Sequence, residues 1–383
     1  MDSPVECSST PHGNENAVEI IRHGLRRTAE NERRDHRNRE FNKLRRTALG
    51  VNENVSSQCE WTGKSLLQKG KDLKKKTLSI NDYKQLEGAL LQDENIKEFL
   101  SIDQILSAVV RDLSSSNPEI QLLALHCCCN IALGDVIHSI LLCKYIGPYL
   151  ITQLESRNNP LLEASAWTIG NLCNSGSKEI IKALNDLGCL NRLSSLLQSC
   201  QKQIIPSVSY ALKFYLFGNS SSEIMRESDF ILVTQIAVDR LLEDHMSSDL
   251  LWLLALLSST AVCRNHLSRI IPSILSNLMH LQENEREAEC RIGEIIASVR
   301  ILANLIAEDS GNSADFILTQ KSNSSRCKIE ELFNKLLTHP HFSVRRETLW
   351  MIGNIYNHPA LSVRKTLENH MKFLDFSRAV DCR

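Results

Sequence analysis

Apolar residues recur along this chain at helical spacing, in runs separated by short polar segments. Tyr145 to Leu154, Leu190 to Leu197 and Ile329 to Leu337 are such runs, and the first and third close on polar breaks at residues 155–160 and 338–341. Beyond those breaks lie two segments that spell nearly the same pattern. One reads Glu-Ala-Ser-Ala-Trp-Thr-Ile-Gly-Asn from Glu163 to Asn171, the other Arg-Glu-Thr-Leu-Trp-Met-Ile-Gly-Asn from Arg346 to Asn354. In each, Trp and Asn stand four apart, which places an indole and an amide side by side on one helix face.

Weaker copies of the same register run between and before these segments. Aligned on the Trp, the positions are His126, Trp167, Tyr210, Trp252, Arg300 and Trp350, in steps of 41, 43, 42, 48 and 50 residues. Four residues further on stand Asn130, Asn171, Phe214, Leu256, Asn304 and Asn354. A period in the forties predicts an α-helical solenoid. Each repeat reads as a short lead-in, a helix, a polar turn and the helix that carries the two register positions. Alternating strand patterns and Asn-Gly hairpin turns are not apparent, so the body is expected to be all-α.

A hydrophobic content of 42% with only 5% aromatic residues suits stacked helices cored by Leu, Ile, Ala and Val. Thirteen Cys, an odd number without a Cys-x-x-Cys pair, fit neither a disulfide framework nor a common zinc site, and are expected as reduced thiols. The apolar run from Leu250 to Leu257, extended through Cys263, is shorter than the roughly 20 residues a membrane span needs. It reads as a buried helix. The start, Met1 to Glu6, lacks the basic-then-apolar order of a secretory signal. No Gly-rich phosphate loop, metal-ligand spacing or nucleophile motif is visible, so no catalytic residue, metal, cofactor or small-molecule substrate is assigned.

The net charge of −1 hides an asymmetry: residues 1–76 hold 16 Lys and Arg against 11 Asp and Glu, and the rest 28 against 34. Ten basic residues cluster at Arg22, Arg26, Arg27, Arg33, Arg34, Arg37, Arg39, Lys43, Arg45 and Arg46, with few apolar neighbours and no stripe. That stretch can be helical but cannot bury itself as a core helix. A second cluster follows at Lys69, Lys71, Lys74, Lys75 and Lys76, behind a Gly- and Ser-containing linker. Two basic clusters joined by a linker read as a bipartite localisation signal; the plainer reading is a solvated tail or a non-specific nucleic-acid contact.

An Arg-rich arm followed by repeats bearing Trp-x-x-x-Asn resembles the importin-alpha family. The resemblance implies an armadillo-repeat, right-handed α-solenoid with a basic N-terminal arm that is helical or disordered. Residues 1–76 would be an arm similar to an importin-beta-binding segment plus linker, 77–375 the armadillo-like repeats and 376–383 a tail. In that family the indoles hold the aliphatic stems of Lys and Arg, with cation–π attraction of about 0.5–2 kcal/mol per contact, and the amides hold the peptide backbone extended. The roles fall by resemblance on Trp167, Asn171, Trp350 and Asn354, with Asn130 and Asn304 as weaker members. Glu163, Asp249 and Glu347, one turn before a Trp, would pair with ligand cations.

Arg26, Arg27, Arg33, Arg34, Arg37, Arg39, Lys43, Arg45 and Arg46 would contact an importin-beta-like carrier. The implied function is a nuclear import adaptor, cytoplasmic and nuclear, whose partners are proteins with Lys/Arg-rich localisation signals. Nucleic acid is not the expected partner, and contact with a membrane stays open. The alternative is a divergent armadillo scaffold for another protein. Three departures favour it: Tyr210 is followed by Phe214, Trp252 by Leu256, and Arg300 in a Trp position would repel a basic peptide. Asn130 and Asn304 could equally satisfy backbone groups inside the solenoid. Six registers are fewer than the family's usual complement, which reads as a truncated isoform or an incomplete sequence.

Overall fold

The computed structural model describes residues 61, 63–219, 225–243, 246–283, 291–308, 310–319 and 329–379. The basic cluster from Arg22 to Arg46 and the carrier contacts expected there lie outside them. Among the described residues there are nineteen α-helices and no strand.

Helices α1 (Lys64–Lys75) and α2 (Ile80–Ala89) open the solenoid. The next unit is α3 (Asp93–Leu100), α4 (Ile105–Leu113) and α5 (Pro118–Ile131), and the one after it α6 (Val136–Gln153) and α7 (Asn159–Asn174). Then come α8 (Lys178–Asp186), α9 (Cys189–Ser199) and α10 (Ile205–Asn219), followed by α11 (Glu227–Leu242) and α12 (Ser248–Ser258). The last two units are α13 (Ala261–Leu267), α14 (Ile271–Glu283) and α15 (Ile292–Ile306), then α16 (Asn312–Thr319), α17 (Ile329–Leu337) and α18 (Phe342–Tyr356). Helix α19 (Leu361–Met371) closes the series.

The last helix of each unit packs on the last helix of the unit before it, so that α2, α5, α7, α10, α12, α15 and α18 form one continuous row. This is the armadillo build, with lead-in and second helix fused into α6 and into α11. In two units where they are separate, a left-handed residue turns the corner, Gly188 at φ 75° between α8 and α9 and Gln104 at φ 55° between α3 and α4, whereas a 3-10 turn over Ser268–Ile270 joins α13 to α14. Only glycine takes the left-handed conformation without steric cost. Polar side chains start the helices, as when Asn117 accepts from the Glu119 N–H ahead of Pro118, and Ser177 and Ser247 accept from Ile180 and Leu250.

The row is the core. In α7 every residue from Ala164 to Asn174 is buried, and in α12 so are Leu250, Leu251, Leu253, Leu254 and Leu257. The longest apolar run of the sequence is therefore a core helix, as its length implied. Each Leu or Ile taken fully out of water contributes about 1.5–3 kcal/mol. Among the described residues no helix is long and apolar enough to cross a membrane.

Two features differ from the expected division of the chain. The body begins ahead of residue 77: Trp61 is buried, and α1 packs its Leu66, Gly70 and Leu73 against α3 and α4. The lysines of the second basic cluster sit on the outer face of that core helix. Lys69 pairs with Asp82 at 2.7 Å and lies 5.2 Å from the centre of the Trp61 ring. The row also contains a helix beyond the six registers, α2, in which Lys84 and Gly88 stand at the Trp and Asn positions.

Candidate functional site

The register positions line up along the row, and their side chains reach between helices. All four Asn amides behave alike. Asn130 Nδ2 donates to the Glu87 carbonyl at 2.9 Å, Asn171 to Cys129 at 3.2 Å, Asn304 to Ala255 at 3.4 Å and Asn354 to Ala303 at 2.8 Å. In each case the acceptor is the residue just before the Asn position of the preceding unit. Asn130, Asn171 and Asn304 are buried and Asn354 is half-buried. A buried amide that bonds a helix carbonyl is worth most where water is excluded, because leaving either group unpaired costs about 1–3 kcal/mol. These amides thus staple successive units together.

Asn171 spans three of them, since its Oδ1 also accepts from the Tyr210 hydroxyl at 2.7 Å. The ring of Tyr210 lies so close to α7 that a methyl group built on Gly170 would stand 2.5 Å from it. The glycine between Trp167 and Asn171 is therefore a packing requirement. At the corresponding Gly353 a methyl would meet nothing within 4 Å.

The Trp positions hold a different set of contacts. His126 Nδ1 lies 3.1 Å from Glu87 Oε1. Tyr210 meets Phe214 edge-on at 4.9 Å, and Lys213 Nζ lies 4.3 Å from the Phe214 ring centre and 5.1 Å from that of Tyr210. The guanidinium of Arg300 lies over the Trp252 ring, 5.0 Å from its centre. Its Nη2 reaches Glu347 Oε1 at 2.6 Å and its Nε reaches Oε2 at 3.2 Å. One side chain on α15 thereby ties α12 to α18.

The acids expected to meet a ligand's cations divide accordingly. Glu347, only 1% exposed, is already neutralised by Arg300. Asp249 is buried in the first turn of α12. Glu163 is half-buried, one turn before Trp167, and among the described residues it makes no ion pair or hydrogen bond. Burial pushes its carboxyl above the ordinary value, with no cation to offset the effect. Trp167 itself is 9% exposed and Trp350 half-buried.

Seven of the eight Cys among the described residues are buried, and Cys200 is partly so. Cys127, Cys128 and Cys129 are buried in α5, and burial pushes the Cys129 thiol up to about 12 and that of Cys143 to about 11. Among the described residues no group of His, Cys, Asp and Glu could hold a metal ion.

No protein-family model matches the sequence. The chain is similar to importin subunit alpha-9 of Arabidopsis thaliana, 24% identical over 313 residues, which cover 79% of this chain and 56% of that protein. It thus spans little more than half the length of this relative. Among solved structures it resembles an engineered protein at a TM-score of 0.51 and 19% identity, over 65% of this chain and 97% of the other. A designed armadillo repeat protein aligns at a TM-score of 0.44 and 17% identity, over 76% of this chain and 99% of the other. By its row of stapled helices and by this sequence likeness, the chain is an armadillo-type α-solenoid related to the importin-alpha proteins.

Proposed function

We propose that the solenoid binds an extended Lys/Arg-rich segment of a partner protein, and that it does so at Glu163 and Trp167. The observation that carries this reading is the carboxylate of Glu163, half-buried and without a cation, one turn before an indole in the row, whereas Glu347 further along is already paired with Arg300. A partly desolvated carboxylate next to an aromatic face attracts a cation on both counts. Trp350, further along the row, offers a second aromatic surface. The Asn amides serve the stack, so the peptide backbone would be held by fewer amides than in a groove that leaves them open. The likeness to an importin alpha subunit makes an import adaptor, working in cytoplasm and nucleus, the role that suits such binding. In that role the basic residues from Arg26 to Arg46 would meet an importin-beta-like carrier.

The test is anisotropy of a labelled octapeptide of alternating Lys and Arg, titrated with the full chain. Saturable binding is expected, weakened about tenfold by Trp167→Ala or by Glu163→Gln and absent for an acidic peptide. Binding indifferent to both substitutions would overturn the reading.

A second reading is favoured by the same amides and by Arg300: a scaffold for a partner of other chemistry, whose row is built for cohesion. A peptide array on which the retained sequences are not basic would establish it.

A further inference from the structure

The contacts of Arg300 describe a binding site as well as a side chain. A guanidinium is held by an aromatic face on one side, Trp252 on α12, and by a two-point carboxylate on the other, Glu347 on α18. Those two groups come from helices that are neighbours but one in the row. Arg300 and Glu347 are 7% and 1% exposed, so the pair is almost out of water. A planar fork on a carboxylate, set over an indole face, is a recognition geometry that suits a guanidinium better than an ammonium.

We infer that Trp252 and Glu347 form a guanidinium-binding site that the chain fills with its own Arg300. The consequence is selectivity. While Arg300 occupies the site, this stretch of the row accepts no arginine from a partner. The inference stands apart from the function proposed above, because it concerns different side chains on different helices.

It is tested by emptying the site in the full chain. In Arg300→Ala, methylguanidinium chloride is expected to raise the unfolding temperature and to shift the indole fluorescence saturably, with at least about a tenfold preference over methylammonium. Wild type, its site filled, is expected to show neither response. Adding Glu347→Gln should abolish the response, since the carboxylate half of the site is gone. A response equal in wild type and Arg300→Ala, or one that survives Glu347→Gln, would overturn the inference.

If Arg300→Ala fails to fold, its far-ultraviolet circular dichroism decides the matter. Helicity restored by methylguanidinium chloride but not by sodium chloride at equal ionic strength supports the site, and helicity that stays absent refutes it. Neither readout involves Trp167 or Glu163, so the outcome is independent of whether basic peptides bind there.

Discussion

The Tyr210 hydroxyl donates to Asn171 Oδ1 at 2.7 Å while Nδ2 of the same amide donates back to the Cys129 carbonyl at 3.2 Å. One side chain thus links α5, α7 and α10 in a site that water does not reach. Asn171→Ala or Tyr210→Phe is expected to cost about 1–3 kcal/mol in denaturant unfolding, because each leaves a buried polar group unpaired. The double variant should lose less than the sum of the two. Strict additivity would show that the bond is not formed.

Two glycines in matching motifs should respond in opposite directions. Gly170→Ala drives a methyl into the Tyr210 ring and is expected to destabilise by about 1–3 kcal/mol. Gly353→Ala meets open space inside α18 and should stabilise by up to about 1 kcal/mol, the difference in helix propensity. Thermal unfolding of the two variants side by side checks both signs.

Acid should loosen the N-terminal units through Asp112. Burial pushes this carboxyl up, but hydrogen bonds from Arg111 at 2.7 Å, Tyr83 at 2.6 Å and Thr77 at 2.8 Å together outweigh burial and leave it below its ordinary value of 3.8. A carboxyl depressed in the folded state contributes stability that is complete above 3.8 and is lost as pH falls through the lower folded value. Asp112→Asn is accordingly expected to cost about 1.5–3 kcal/mol at neutral pH. The gap to wild type should close in titrations carried below pH 3.8.

Thiol alkylation should report unfolding. Cys127, Cys128, Cys129, Cys143, Cys173, Cys189 and Cys263 are buried and free, with raised thiol values. Peptide mapping after iodoacetamide at neutral pH is expected to find them unmodified in native protein and modified in denaturant.

The row of helices was legible because its two register positions carry large or amide side chains at a steady period. Helix α2 escaped, since Lys84 and Gly88 stand where the pattern asks for Trp and Asn. Its trace in the sequence is indirect: the amide of Asn130 needs an acceptor one repeat earlier, and finds it at Glu87. Helix α1 escaped for another reason. Leu66, Gly70 and Leu73 form a buried face, but the lysines between them read as a charge cluster.

At the candidate site, sequence finds the register positions along the row and cannot say what each side chain faces. Trp-x-x-x-Asn is the same string whether the amide points to a ligand or to the preceding helix, because the choice depends on the stagger between helices. Arg300 is the sharpest case. Read alone it is a repulsive charge in a binding row, yet Glu347, 47 residues further on, neutralises it.

The amide staples give the stack a grain. Each Asn donates toward the N-terminal neighbour, so shortening the row from its C-terminal end strips no remaining amide of its carbonyl, whereas removing α2 would strand the Asn130 amide and removing α5 that of Asn171. Truncations taken from the two ends are therefore not equivalent. For the Asn staples alone, the stack tolerates loss in one direction and propagates damage in the other, while the Tyr210–Asn171 bond and the Arg300–Glu347 pair tie it the opposite way.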